Sequence, residues 1–202
     1  MRKIKLWKAG VLLLCLTTSV ALAIESPVTM LQRISNQMIS SLEKNKSRLK
    51  KSNVIHNIVN RVLIPHIALN RMSASVVGPR YWRSASRAQR STFIRQFTRL
   101  VTSTYSAALA SYDGDRVRFY PLRGGYRGAT VQVRSVIARR NGQRIPMSYS
   151  LIRQGSRWKV YDFSIENVSI VQSYRAQFAG VLSRSGMRGL IQRLISHNRR
   201  VG

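Results

Sequence analysis

The sequence has one cysteine among its 202 residues, and that residue, Cys15, lies close to the N-terminus. Around it, basic residues precede an apolar run that ends in Ala21-Leu22-Ala23, which is the pattern of a secretory signal peptide. Cleavage after Ala23 removes Cys15 and leaves one domain, residues 24–202, without cysteine. Such a domain cannot use disulfides, thiol catalysis or cysteine metal ligands.

Two other interpretations of residues 1–23 fit the sequence less well. A membrane anchor needs roughly 20 consecutive apolar residues, and the uninterrupted run around Cys15 is shorter. A lipoprotein needs a small residue immediately before the modified cysteine, whereas the three residues before Cys15 are all leucine. We therefore predict a cleaved signal and an exported protein.

Acidic residues are also scarce: the sequence has six Asp and Glu but 35 Lys and Arg, which gives a formal net charge of +29. Loss of the four basic residues in 1–23 leaves 31 against six, or +25, and only five of those 31 are lysine. The guanidinium group pairs bidentately with phosphate. In the cytoplasm this composition would favour nucleic acid, whereas an exported protein meets phospholipid head groups and lipopolysaccharide phosphates. A solvated arginine-rich surface without a binding role is an equal alternative.

The sequence offers no constellation typical of catalysis or metal binding. The three histidines share no ligand spacing; they are His56, His66 and His197. Asp113 and Asp115 are explained by turn chemistry. Asp162 and Glu166, four residues apart in a strand, would lie about 13 Å apart, too far to share a proton. We therefore expect a protein that is not an enzyme and that uses no metal or cofactor.

Helical periodicity dominates the first half of the chain. It predicts a first helix over 27–51, a second helix capped by Asn53 and ended by Pro65, and a short helix over 72–77. Ser86 and Gln89 have capping-box spacing, and an aromatic and aliphatic stripe follows them, so the longest helix begins there.

After residue 114 the apolar period changes from helical to about two. We predict strands over 116–121, 129–139, 144–153 and 157–168, followed by helices from Ser169 onward. Asn141-Gly142 and Gln154-Gly155-Ser156 are turn sequences, so the strands they join are antiparallel neighbours. The order indicates an α+β fold with helices packed on an antiparallel sheet of about four strands.

The last predicted strand is apolar on both faces. Its alternation puts Trp158 and Val160 on one face and Tyr161, Phe163 and Ile165 on the other. A strand of this kind needs cover on two sides.

Two segments carry a resemblance to a known family. The first runs from Met72-Ser73 through Val77-Gly78 and Trp82 to Gln89, Phe93 and Phe97. The second and more specific one runs from Trp158-Lys159-Val160-Tyr161-Asp162 to Tyr174-Arg175 and Gln177-Phe178. With them the chain resembles the MlaC (toluene-tolerance) family of periplasmic phospholipid-binding proteins over the whole of 24–202. Ala68 and Asn167 depart from the residues usual in that family.

The resemblance implies that the sheet is curved and that it encloses an apolar cavity for lipid acyl chains, with the head group facing solvent. It also implies a monomeric periplasmic carrier that maintains outer-membrane lipid asymmetry, with bound phospholipid as cargo. The implied partners are an inner-membrane ABC transporter with an MCE-domain protein and an outer-membrane lipoprotein-porin complex. Nucleic acid is not expected as a partner.

The predicted wall of the cavity draws on the long helix and on three strands. Its members are Phe93, Phe97, Val101, Tyr105, Val131, Val133, Met147, Tyr149, Leu151, Trp158, Tyr161, Phe163 and Ile165. Arg80, Tyr81, Trp82 and Arg83 are predicted at the mouth, since aromatic rings and guanidinium groups suit a phospholipid head group. Two alternative functions stay open. One is an enzyme or small-ligand receptor, which would need a polar constellation inside the cavity that the sequence does not offer. The other is a cationic exported protein that binds polyanions or lipopolysaccharide without a lipid cavity, and its binding would weaken steeply with salt.

Overall fold

The computed structural model describes residues 25–122 and 128–200, so the predicted signal peptide and its cleavage site lie outside the described residues. In these ranges the α-helices are α1 (Pro27–Lys44), α2 (Ser52–Val62), α3 (Leu69–Val77), α4 (Pro79–Ser84), α5 (Arg87–Ala110) and α6 (Ile170–Arg200), and α6 is interrupted by the non-helical backbone of Gly186. The strands are β1 (Arg116–Phe119), β2 (Thr130–Ala138), β3 (Arg144–Gln154), β4 (Arg157–Ile165) and β5 (Val168–Ser169). Helices packed on one antiparallel sheet confirm the predicted α+β fold.

Local capping explains where the longer helices begin and end. Ser86 and Gln89 form the predicted capping box at α5, with the Gln89 N–H donating to Ser86 Oγ at 3.1 Å and the Ser86 N–H to Gln89 Oε1 at 2.9 Å. The prediction that the first helix reaches residue 51 was wrong. Helix α1 ends at Lys44 because Asn45 leaves helical geometry and its side-chain amide donates to the carbonyl of Ser41.

The strands form a meander in the order β1-β2-β3-β4-β5, each antiparallel to the next. The four predicted strands are present, and β5 adds a two-residue edge that the sequence pattern did not indicate. Strand β4 contains an irregularity, since Val160 lies opposite Leu151 while Asp162 lies opposite Ser150. Tyr161 is therefore an extra residue, as in a β-bulge.

The bulge changes which residues of β4 share a face. Trp158 and Val160 precede it, and Phe163 and Ile165 follow it, so all four lie on the inner face of the sheet. The predicted alternation, with Phe163 and Ile165 opposite Trp158, was wrong because it assumed an uninterrupted period of two. Tyr161 lies off the inner face, where the Arg71 guanidinium is 5.7 Å from its ring centroid.

Asp162, on the outer side of the bulge, fixes the start of α6. Its carboxylate accepts a hydrogen bond from Ser169 Oγ at 2.7 Å and another from the Val171 N–H at 3.1 Å. Ser169 Oγ in turn accepts from the Gln172 N–H at 3.1 Å. A negative charge that receives the free donors of a helix N-terminus stabilises that end.

The buried apolar residues form two separate cores. The first, called here the helical core, joins α3, α5 and α6 and includes Met72, Val76, Phe93, Phe97, Tyr174, Phe178, Leu182 and Leu190. The second, the sheet core, joins α1 and α2 to the inner face of the sheet and includes Leu31, Met38, Leu42, Ile55, Val59, Val133, Leu151, Trp158 and Val160. Ile67 packs against both. Each of these two clusters is buried on its own, so the residues along the border between them are not needed to complete either core.

Candidate functional site

Burial on the inner face of the sheet falls off in steps toward the β2–β3 hairpin. The register defines four cross-strand rows: Val131-Leu151-Val160, Val133-Tyr149-Phe163, Phe119-Ser135-Met147-Ile165 and Val117-Ile137-Ile145. Leu151 and Val133, in the first two rows, have no exposed surface. All three residues of the last row are only half-buried. The apolar face is therefore sealed at one end and accessible at the other.

Helix α5 shows the same gradient along its length of 24 residues, about 36 Å. Phe93 and Phe97 near its start are 0% and 2% exposed. Val101, Tyr105 and Leu109, spaced four residues apart on one side of its second half, are half-buried. The accessible half of α5 therefore matches the accessible end of the sheet.

The half-buried apolar residues along the border of the two cores are called here the seam. It consists of Val101, Tyr105, Leu109, Phe119, Met147, Tyr149, Phe163 and Ile165. Val101, Tyr105, Phe163 and Ile165 pack on the helical core, and Leu109, Phe119 and Tyr149 pack on the sheet core. Half-buried apolar side chains on both sides of such a border form a surface suited to an apolar ligand.

Aromatic contacts make the seam continuous from α5 to β1. The ring centroids of Tyr105 and Phe163 are 6.2 Å apart in an edge-to-face arrangement. Phe163 lies directly opposite Tyr149 in the β3–β4 pairing, and the Tyr149 and Phe119 centroids are 5.9 Å apart. Four rings thus span the interior in sequence, and offset contacts of this kind are favourable beyond their area.

The polar atoms of the seam are uncharged. Burial raises the pKa of Tyr105 and of Tyr149 above the usual value, so both phenols are neutral at physiological pH. The Tyr149 hydroxyl lies 3.3 Å from Ser135 Oγ, which is itself buried. The seam therefore offers hydrocarbon surface with a hydrogen-bonded hydroxyl pair and no formal charge.

The structure sorts the predicted wall residues into groups. Phe93, Phe97, Val133, Leu151 and Trp158 are 0–2% exposed and belong to the two cores. Val101, Tyr105, Met147, Tyr149, Phe163 and Ile165 lie in the seam, and half-buried Val131 packs on the sheet core. Tyr161 lies outside the seam because of the bulge. Contact of any of these residues with lipid stays a prediction.

Two seam residues were missed at the level of sequence. Leu109 follows Tyr105 by one helical turn, so the spacing of Val101, Tyr105 and Leu109 was a usable signal. Phe119 comes from β1, the shortest of the predicted strands, where nothing local distinguished an inward residue. Only the pairing of Phe119 with Ser135 places it on the inner face.

The four residues predicted at the mouth lie on α4, directly before the sealed end of α5. Arg90 binds two of them, since its guanidinium donates to the carbonyls of Trp82 at 2.8 Å and Arg83 at 3.0 Å. The same guanidinium lies 5.5 Å from the Trp82 ring centroid. Arg80 and Tyr81 instead line a separate cleft. A head-group role for these residues stays a prediction.

Charged residues outside the predicted site surround the accessible end of the seam. Arg139 lies 3.7 Å from the Asp115 carboxylate and donates to the carbonyl of Ser111 at 3.1 Å. Arg140 lies 3.7 Å from Asp113. These contacts hold the β2–β3 hairpin against the turn that follows α5. The hairpin thereby presents guanidinium groups beside the half-buried last row of the sheet.

Other kinds of site find no support in the described part of the chain. No three His, Cys, Asp or Glu side chains in residues 25–122 and 128–200 are grouped so that they could hold a metal ion. None of the helices in the same ranges combines the length and the apolar character needed to cross a bilayer.

Comparison with known proteins gives a consistent result. The family model of the MlaC protein matches residues 32–196. The intermembrane phospholipid transport system binding protein MlaC of Haemophilus influenzae is 28% identical over 183 residues, covering 89% of this chain and 85% of that protein. Toluene tolerance protein ttg2D of Pseudomonas putida is 27% identical over 165 residues, covering 81% and 76%.

Among solved structures, the chain is similar to a phospholipid-binding protein from Ralstonia solanacearum, whose structure was determined in complex with a phospholipid. The TM-score is 0.82 at 24% identity, and the match covers 88% of this chain and 99% of that one. At this identity the likeness shows that the two chains share a fold.

Proposed function

The chain belongs to the MlaC family, and from that membership we propose that it is a periplasmic phospholipid carrier that holds acyl chains in the seam. The observation that carries the proposal is the division of the interior into two cores, with half-buried apolar side chains on both sides of their border. The similar proteins support it, since one is named as a phospholipid transport binding protein and another was solved with a phospholipid bound.

The physical need for a carrier follows from the cost of exposing lipid to water. At about 0.8 kcal/mol per CH₂, one long acyl chain costs on the order of 10 kcal/mol to expose, so unaided desorption of a two-chain lipid is slow. The seam replaces water with apolar side chains during transfer. Net transfer from bilayer to protein is then close to balanced, because the chains leave one apolar environment for another.

The burial gradient favours one direction of lipid entry. The seam is sealed where Phe93 and Phe97 begin α5 and accessible near the β2–β3 hairpin. Acyl chains therefore enter from the hairpin end, and the head group remains there. Arg139 and Arg140 lie at that end, where a head-group phosphate would compete with Asp115 and Asp113 for their guanidinium groups.

The partners proposed for the carrier are those expected of its family. They are an inner-membrane ABC transporter with an MCE-domain protein and an outer-membrane lipoprotein-porin complex, between which a monomer of residues 24–202 shuttles lipid. The function is maintenance of outer-membrane lipid asymmetry by binding, without catalysis. Because transfer is balanced, direction comes from these partners. Family membership favours this function over polyanion or lipopolysaccharide binding without a cavity.

Detergent-free purification of the exported protein tests the proposal. Native mass spectrometry followed by lipid extraction should find stoichiometric phospholipid that survives high salt, since apolar burial is insensitive to ionic strength. A protein that releases no lipid on denaturation and takes none up from vesicles is not a phospholipid carrier. Binding that instead collapses steeply with salt would indicate polyanion binding.

A further inference from the structure

A cleft of about 310 Å³ lies outside the seam, between the α3–α4 junction and α6. Its floor is apolar and includes Val76, Val77 and Leu182, which are 0–3% exposed. Arg80 and Tyr81 from α4 and Arg175 from α6 line it as well. The cleft thus combines a hydrocarbon floor with guanidinium groups from two helices.

Both sequence segments that carry the family resemblance contribute to this cleft. Gly78 closes α3 with a φ of +83°, a backbone conformation suited to glycine. A guanidinium nitrogen of Arg175 lies 3.7 Å from the place that a Cβ on Gly78 would occupy. Tyr174 and Phe178 point to the aromatic residues of α5, whereas Arg175, one position further along, lies about 100° around the helix. Arg175 therefore serves a different surface from the one that supports the seam.

The two guanidinium groups are not neutralised within the described part of the chain. In residues 25–122 and 128–200, neither Arg80 nor Arg175 makes a hydrogen bond or an ion pair. The sequence has no Asp or Glu between Glu43 and Asp113 and none after Glu166, so α3, α4 and α6 carry no carboxylate. The Arg80 guanidinium lies 5.8 Å from the Tyr81 ring centroid, which limits its orientation. The cleft is accordingly a place of concentrated positive charge.

We propose that this cleft binds the phosphate ester of an anionic phospholipid head group. The two non-bridging oxygens of a phosphate diester each carry more than one lone pair, so a single phosphate can accept hydrogen bonds from both guanidinium groups. The apolar floor accommodates the carbon substituent of an ester, which inorganic phosphate lacks. The inference goes beyond the proposed function, because a cleft separate from the seam would orient the carrier on an anionic membrane surface whether or not the seam holds lipid.

The test uses the exported protein with three probes that separate the possible sources of the phosphate: glycerophosphoglycerol, inorganic phosphate and phospholipid vesicles. Glycerophosphoglycerol is a soluble head group without acyl chains, and its binding is followed by the Gly78 amide resonance. Gly155, in the β3–β4 turn at the end of the sheet away from the β2–β3 hairpin, serves as the internal reference. Sedimentation with phosphatidylcholine vesicles, with and without phosphatidylglycerol, measures binding to a bilayer surface.

The matched variants are Arg80→Gln/Arg175→Gln and Arg184→Gln/Arg188→Gln, which remove equal charge from exposed positions. Only the first pair should abolish the Gly78 shift, and it should weaken vesicle binding about fivefold per guanidinium, the factor expected for one basic residue at an anionic surface. The variant Arg80→Lys/Arg175→Lys keeps the charge but lacks the planar guanidinium groups that donate two parallel hydrogen bonds. It should therefore lose most of the Gly78 shift.

Three outcomes would decide whether the cleft binds a phosphate and whether that phosphate belongs to a lipid. Equal loss of vesicle binding in both Gln pairs would overturn the proposal, since total charge would then explain it. Inorganic phosphate that binds as tightly as the ester would overturn the lipid assignment. Cleft-dependent binding of phosphatidylglycerol vesicles without binding of the soluble head group would assign the site to phosphates at a bilayer surface. Lipid extraction tests the seam independently of all three.

Discussion

Replacing Phe163 by aspartate asks whether acyl chains occupy the seam, and Tyr161 provides the matched control. Both residues are aromatic, half-buried and two positions apart in β4. The bulge nevertheless directs Phe163 toward Tyr105 in the seam and leaves Tyr161 beside Arg71. Only Phe163→Asp therefore places a carboxylate against bound lipid.

The cost of that carboxylate can be bounded by its pKa. An acyl chain in the seam would displace water from the new side chain, and the neutral acid is then the less costly form. Protonating an aspartate of ordinary pKa, about 3.9, at pH 7 costs about 4 kcal/mol, since each pKa unit is worth about 1.4 kcal/mol. We expect Phe163→Asp to lower lipid affinity about a thousandfold at pH 7 and only about tenfold at pH 5.

The assay compares exported proteins purified without detergent. Phospholipid per chain is measured after extraction, and uptake from vesicles is measured at pH 7 and pH 5, with thermal unfolding as a check that both variants fold. Tyr161→Asp should retain lipid, because its carboxylate stays hydrated and close to Arg71. Equal lipid content in the two variants, or a loss for Phe163→Asp that does not depend on pH, would refute this location for the acyl chains.

Three further predictions concern stability and are measured by chemical denaturation. Phe97→Ala should lower the free energy of unfolding by about 3–5 kcal/mol, because Phe97 is 2% exposed and its ring contacts three other aromatic rings; a cost below 1 kcal/mol would contradict its place in the helical core. Asp162→Ala should cost about 2 kcal/mol, because the Val171 N–H then loses its acceptor at the start of α6; Asp162→Asn should recover part of it. Burial and a hydrogen bond to Glu43 raise the pKa of Tyr112 to about 12. The pKa of Tyr112 in the unfolded chain is near 10, so its contribution to the free energy of unfolding is complete below pH 10 and is lost as the pH rises to 12. Tyr112→Phe should therefore lose less stability at alkaline pH than the unmodified protein.

The parts of the fold that could be predicted are those that depend on neighbouring residues. The capping box of Ser86 and Gln89 involves side chains three positions apart, so its spacing identifies the start of α5 directly. Asn141-Gly142 likewise specifies a tight turn whatever the rest of the chain does. The conformation of a cap or a tight turn is determined by interactions among a few neighbouring residues, so tertiary contacts change it little.

The parts that escaped prediction depend on pairing across the sheet. Tyr161 is an extra residue only in relation to β3, since the irregularity exists where Val160 pairs with Leu151 and Asp162 with Ser150. Nothing in the sequence of β4 alone marks the place at which the alternation slips. The sequence alone does not indicate that Asp162 caps α6, because that role requires the bulge to aim its carboxylate at the Val171 N–H.

The division between core and seam was beyond the sequence for a related reason. Phe97 and Tyr105 both belong to the apolar stripe of α5, and hydrophobic periodicity treats them alike. What separates them is the surface opposite each one: Phe97 meets Tyr174 and Phe178 of α6, and Tyr105 meets Phe163 at the border of the two cores. Burial is a property of the packed partners as much as of the residue.

A carrier that binds and releases its cargo has to remain folded when the cargo is absent. In this chain the residues with almost no exposed surface, such as Phe93 and Leu151, lie in two cores that are each complete without lipid. The seam residues between them are already half-buried in the empty protein, so filling the seam removes only the remaining apolar area from water. That limits how tightly lipid can be held. Exchange between two membranes requires a modest affinity. A carrier that bound lipid with a much more favourable free energy than the bilayer does would not release it.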